Sequence, residues 1–188
     1  MKLFFESIVV GFLSLSAVRA EPQFLKALDV DGHERVLNQP GRVTVVIYSN
    51  QSVQDLTRQA GKSLDEFQGL AQFRSVVVVD LRGSLANWVS GYAQRRMVRD
   101  LDKEAERIRP AYVKNGSRAD PRPEVSAVAD FQGDLCRKLG WTETVKTLRV
   151  VVYNLQGLED RRWEDLKSES ELRDTVRACL KNKFGKST

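Results

Sequence analysis

Histidine and cysteine are nearly absent from this sequence: 188 residues include one histidine, His33, and two cysteines, Cys136 and Cys179. A histidine-based metal centre, or a Ser/His or Cys/His nucleophile pair, would have to use His33, and nothing near it in sequence supports either. No metal and no cofactor are therefore expected. Long apolar runs are scarce too. The run from Ile8 to Val18 falls short of the roughly 20 apolar residues that span a bilayer. It follows Lys2 and ends at Val18-Arg19-Ala20, a small-x-small pattern, so residues 1–20 read as a removable secretory signal despite Glu6. The protein is then expected to be exported, periplasmic or secreted, with no stable membrane span after cleavage. An excess of one charge is also missing. Without the leader, 28 basic and 24 acidic residues remain, mixed along the chain, and nucleic-acid binding is not suggested.

What is present is enough for one domain, expected over residues 21–182 with a flexible tail at 183–188. An even cysteine count in an exported chain invites a disulfide. Each cysteine, however, lies on an apolar helical face, Cys136 with Leu135 and Leu139, Cys179 with Leu172, Val176 and Leu180. The favoured reading is two buried thiols, each acting as a small hydrophobe, with no disulfide between them.

The order of elements is legible from periodicity. A turn at Asp29-Val30-Asp31-Gly32 separates two short extended pieces. VTVVIY and SVVVVD are β-branched runs without polar alternation, as in strands covered on both faces. Between them Val53, Leu56, Ala60, Leu64 and Phe67 recur at helical spacing. Strand, helix, strand of this length predicts a right-handed crossover and a parallel pair. A long helix is expected from Leu85 to Val113, broken near Gly91 and closed by Pro110. Then follow a strand VSAVAD, a turn at Asp130–Gly133, a short helix DLCRKLGW, a strand TLRVVVYN, a turn at Leu155–Gly157, a strand with DRRWED, and a helix over about 169–181 capped by Ser168 or Ser170. The predicted fold class is α/β, a three-layer α/β/α sandwich with a mixed central sheet.

Three segments carry a resemblance to a known superfamily: LDVDGHERVLNQPGRVTVVIYSN, VADFQGDLCRKLGW and LRVVVYNLQGLEDRRW. In order and spacing they resemble the thioredoxin-like superfamily, nearest its peroxiredoxin and thioredoxin-related thiol oxidoreductase branch. The family's chemistry needs a thiolate at the first turn of the helix after the first core strand, where the helix N-terminus lowers the cysteine pKa. The resemblance places the first reactive cysteine at Ser52 and the second of a Cys-x-x-Cys pair at Asp55, and both cysteines are missing. Serine performs neither disulfide exchange nor sulfenic acid chemistry. The family's threonine-x-x-cysteine arrangement is missing as well. Before VVVY, where thiol-disulfide members place a cis-proline and peroxiredoxins an arginine, stand Leu148 and Arg149. A one-residue shift reverses the face of a strand side chain, so the arginine's role is not carried to Arg149.

With the cysteines gone, the candidate residues lie at the carboxyl ends of the two parallel strands, where α/β folds place ligands. They are Ser49, Asn50, Gln51, Ser52 and Asp55, with Tyr48 beside them, then Asp80 and Arg82, with Gly83 following. Ser52 and Asp55 are read as a capping pair, and Asp80 with Arg82 as a loop ion pair. Arg95 and Arg96 read as a solvated face; Trp88, Tyr92 and Trp163 read as core or rim. The function expected is non-enzymatic binding of an unidentified protein, peptide or small polar ligand. The alternative is a divergent peroxiredoxin-like antioxidant or thiol-disulfide oxidoreductase using Cys136 or Cys179. Against it, the two cysteine-bearing helices are expected on opposite faces of the sheet. A third role, structural within an envelope complex, rests on the leader alone.

Overall fold

Short runs of valine and isoleucine build the sheet that everything else is hung on. The computed structural model describes residues 24–82, 90–141 and 146–182; the expected leader, Gly83, Trp88 and the tail at 183–188 lie outside these. Strands β1 (Lys26–Leu28) and β2 (Glu34–Val36) form the expected antiparallel hairpin. The main sheet contains β3 (Val43–Ser49), β4 (Phe73–Asp80), β5 (Ser126–Asp130), β6 (Arg149–Tyr153) and β7 (Glu159–Trp163). Its order is β5-β4-β3-β6-β7. Strands β3, β4 and β5 are parallel, while β6 runs antiparallel to β3 and β7 to β6. The sheet is therefore mixed, as the sequence predicts.

The helices are α1 (Gln54–Ser63), α2 (Ser90–Lys114), α3 (Asp134–Lys138) and α4 (Glu169–Lys181). Strand side chains alternate between faces, and β3 shows which helix owns which face. Ser49 meets Thr57 of α1, and α1 packs against α4. Tyr48, one residue earlier, points the other way and meets Asp130 and Trp141, next to α3. Helices thus lie on both sides of the sheet. One contiguous core links the two sides through β3 and β6 and takes in Leu135, Cys136, Val176 and Cys179.

Three local expectations need correction. Only β3 is buried at every position; β4 alternates, with Val76 and Val78 buried on one face and Val77 and Val79 half-buried on the other, which is less completely covered along this strand. Leu56 does not join the core face of α1: it is 42% exposed, while Val53, Ala60, Leu64 and Phe67 are buried. The 3-10 turn that opens this helix rotates the stripe away from the spacing of a regular helix.

Pro110 does not close α2, which continues to Lys114. Its buried stripe, Leu101, Ala105, Ile108 and Tyr112, runs straight past the proline. Tyr112 also packs on Gly69, whose φ of 84° and close approach leave no room for a side chain: a Cβ there would lie 2.8 Å from Tyr112 Cα. One turn on, the Asn115 amide donates to the carbonyls of Glu66 and Gln68. These anchors beyond residue 110 offset the backbone hydrogen bond that proline removes.

Candidate functional site

The carboxyl ends of β3, β4 and β5 carry two polar groups on opposite faces of the sheet. The first is the β3–α1 junction, the place of the reactive thiols in the superfamily the sequence resembles. Asn50 leaves the strand in extended conformation, and its side-chain oxygen accepts hydrogen bonds from the Ser52 N–H (2.9 Å) and the Ser52 hydroxyl (2.7 Å). Asn50 is therefore the cap, not Ser52. The helical turn starts at Gln51 as a 3-10 turn, earlier than the sequence spacing implies, and the capping oxygen moves back with it. Asp55 does not complete a capping box either; it is exposed and pairs with Arg58 at 3.0 Å. Gln51 and Ser52 are exposed. Ser49 turns inward, buried, to the Thr57 hydroxyl, which in turn donates to the Val53 carbonyl.

The second group is buried on the Tyr48 face, and here the expected Asp80–Arg82 pair becomes part of something larger. Arg82 donates its backbone N–H and Nε to Asp80 Oδ1 and its Nη2 to Oδ2, at 3.0, 2.9 and 2.8 Å. The same Nη2 lies 3.3 Å from the sulfur of Cys136. Cys136 donates its thiol to the Trp141 carbonyl (3.1 Å) and its backbone N–H to Asp130 Oδ2 (2.9 Å). That carboxylate oxygen also accepts from the Tyr48 hydroxyl at 2.9 Å. Burial, reinforced by hydrogen bonds with Cys136 and Asp130, holds the Tyr48 phenol well above its ordinary pKa, so it remains a neutral donor. Hydrogen bonds to Asp80 outweigh burial and push Arg82 above its already high value, keeping it cationic.

The geometry of the β5–α3 turn makes this possible. Gly133 has φ 73°, and a Cβ there would stand 2.6 Å from Arg82 Cδ. A turn without a side chain lets the arginine lie across it.

Sequence reasoning placed Asp80 and Arg82 correctly as partners but did not join them to Asp130, Cys136 and Trp141. A signal exists: VVVVD and SAVAD are apolar strands that both end in aspartate, and register pairs Asp80 with Asp130. Parallel neighbours that end on the same residue type place two carboxylates side by side.

Arg149 pairs in register with Tyr48 and so shares its face. Its guanidinium lies 5.7 Å from the centre of the Trp141 ring and 3.4 Å from Glu164. Arg162 stacks on the same ring at 5.0 Å. These contacts are packing and charge pairing on the side of the sheet away from α1.

Cys179 sits on α4, on the α1 side, and does not form a disulfide with Cys136. Burial, with Asp160 alongside, pushes its thiol up to about 12, so it stays protonated at neutral pH.

Among the described residues, one set of ligand-type atoms lies close together, those of Asp29, Asp31 and His33, within 4.8 Å of one another. Arginines already neutralise it. Arg35 pairs with Asp29 at 2.7 Å, and Arg122 with Asp31 at 2.8 Å. Burial alone would raise the Asp29 pKa; the Arg35 hydrogen bond and charge and the backbone N–H groups of His33 and Asp31 outweigh it and hold the carboxyl below its ordinary value.

No family model matches this chain, and no curated protein matches it. Solved structures do. A secreted thiol-disulfide isomerase from Corynebacterium glutamicum superposes with TM-score 0.58 at 11% identity, over 85% of this chain and 84% of that one. A DsbF homologue from Corynebacterium diphtheriae gives TM-score 0.54 at 11% identity, over 82% and 83%. A putative thioredoxin from Neisseria meningitidis gives 0.52 at 12% identity, over 86% and 90%. At such low identity the likeness speaks for architecture: the chain has the thioredoxin-like fold.

Proposed function

We propose that this is an exported thioredoxin-like binding protein that has kept the scaffold of a thiol-disulfide oxidoreductase without its redox centre. The observation that carries this reading is the β3–α1 junction. Where the superfamily's chemistry needs a thiolate, Ser52 gives its hydroxyl to the Asn50 cap, and Asp55 is tied to Arg58 in solvent. Neither remaining sulfur substitutes for the loss. Cys136 is wholly buried with its thiol on a carbonyl, and Cys179 is buried on the opposite side of the sheet. A disulfide or peroxide substrate needs an in-line approach to sulfur, and these positions offer none. Export rests on residues 1–20, and the secreted relative in structure agrees with it.

The competing enzymatic reading rests on the contact between Arg82 and the Cys136 sulfur. Thiol titration of the native protein, followed by disulfide-reductase and peroxide-consumption assays, separates the two. Labelling that waits for denaturant, with no cysteine-dependent turnover, is the expected result. Rapid labelling of Cys136 together with turnover lost in Cys136→Ser would overturn the binding-protein reading.

A further inference from the structure

The hairpin and the main sheet face one another across a gap that is bordered by main chain on both sides. Just outside the two ends of β1, Leu25 accepts from the Leu37 N–H (2.8 Å) and Asp29 donates to the His33 carbonyl (2.9 Å), so odd-numbered residues face the β2 side. Antiparallel alternation then turns the N–H and C=O of Lys26 and Leu28 away from β2. In β5, Asp130 accepts from the Leu81 N–H on the β4 side, while Ala127 accepts from the Val30 N–H on the other side. The same alternation turns the N–H and C=O of Ala129 toward the hairpin. The two edges touch at the Val30–Ala127 hydrogen bond (2.9 Å) and part from there into a groove of about 430 Å³. Leu28, which is 67% exposed, and Leu135 give it apolar walls.

We infer that this gap binds an extended peptide segment of a partner protein by strand addition, with a carboxylate of that segment directed to Lys138. Unused main-chain donors and acceptors on a strand edge are satisfied by another extended main chain, with side-chain pockets setting preference. The charge at the rim gives direction. Three carboxylates line the groove and each has a partner: Glu34 holds Lys26 at 2.8 Å, Asp134 pairs with Arg137, and Asp130 accepts from the Tyr48 hydroxyl and the Cys136 N–H. Lys138, also lining the groove, has by contrast no ion pair among the described residues. This binding does not depend on thiol chemistry, so its failure and that of the redox-inactive reading are separate results.

The probe is a phage-displayed library of random heptapeptides panned against the native protein. Enriched sequences are synthesised and measured by isothermal titration and amide hydrogen exchange. Enrichment of β-branched peptides bearing Asp or Glu is expected, with the Ala129 amide fast-exchanging in the protein alone and protected in the complex. Leu28→Asp, at a position exposed enough to leave folding unchanged, should weaken binding about tenfold or more. Lys138→Glu should weaken an acidic peptide about tenfold while leaving its amide counterpart unchanged. The proposal falls if nothing is enriched, or if both substitutions leave the affinity unaltered. It falls equally if the Ala129 amide is already protected without peptide, since the chain's own residues would then fill the edge.

Discussion

Gly133 and Arg82 hold one another in place, and each can be tested against the other. Gly133→Ala introduces a Cβ at φ 73° and 2.6 Å from the arginine stem; the left-handed backbone alone costs about 1–2 kcal/mol. Arg82→Ala removes both guanidinium hydrogen bonds from the buried Asp80 carboxylate, leaving it the backbone N–H of residue 82, and should cost about 3 kcal/mol in urea unfolding. In the double variant the steric conflict disappears with the arginine, so the combined loss should be smaller than the two single losses added. Full additivity would mean that the turn and the ion pair are independent. At the β3–α1 junction the cap gives a second residue-scale contrast. Asn50→Ala should cost about 1 kcal/mol, the ordinary worth of an N-cap. Ser52→Ala should change stability little, since Ser52 donates its hydroxyl to the cap and is exposed. Equal losses at the two positions would return the capping role to Ser52.

Among the elements, the β1–β2 hairpin has an electrostatic hinge in Asp29. Its carboxylate, buried, collects the backbone N–H groups of Asp31 and His33 and the Arg35 guanidinium. A carboxylate whose folded pKa lies below its ordinary value of 3.8 stabilises the fold above that pH, and the stabilisation is lost as pH falls through the folded pKa. Thermal melts of the wild type and Asp29→Asn should therefore differ most at neutral pH and converge below about pH 4. A constant gap down to pH 2 would rule this out. The hairpin itself was legible in the sequence because an Asp-Gly turn between extended pieces is a local signal, and so were β3, β4, β5 and β6, whose β-branched runs are bounded by turns. What escaped was non-local. The Pro110 passage depends on Tyr112 and Asn115 finding partners near residues 66–69. The Cys136 network depends on strand register that brings residues 48, 82, 130 and 136 together. No window along the chain contains either fact. The cap at Asn50 was local, but it turned on a 3-10 start that residue spacing alone does not distinguish from an α-helical one.

At the scale of the whole molecule, the two cysteines become probes of cooperativity. They lie on opposite sides of the sheet, Cys136 by Tyr48 and Cys179 on α4, yet both belong to one contiguous buried core. If that core melts as a unit, neither thiol is exposed by a local opening that spares the other. Pulsed thiol labelling across a urea series, read by mass spectrometry at each cysteine, should then give the same opening free energy and the same denaturant dependence for both. The chain around Cys136 makes this a demanding test. Helix α3 spans only Asp134–Lys138, and the side of the sheet it covers is held by polar contacts among Asp80, Arg82 and Asp130 as well as by apolar packing. Labelling of Cys136 at a lower free energy, with a smaller urea slope, would make the α3 turn a separate unit. Equal values would mean that the buried polar network is as firmly part of the fold as the valine core that Cys179 packs against.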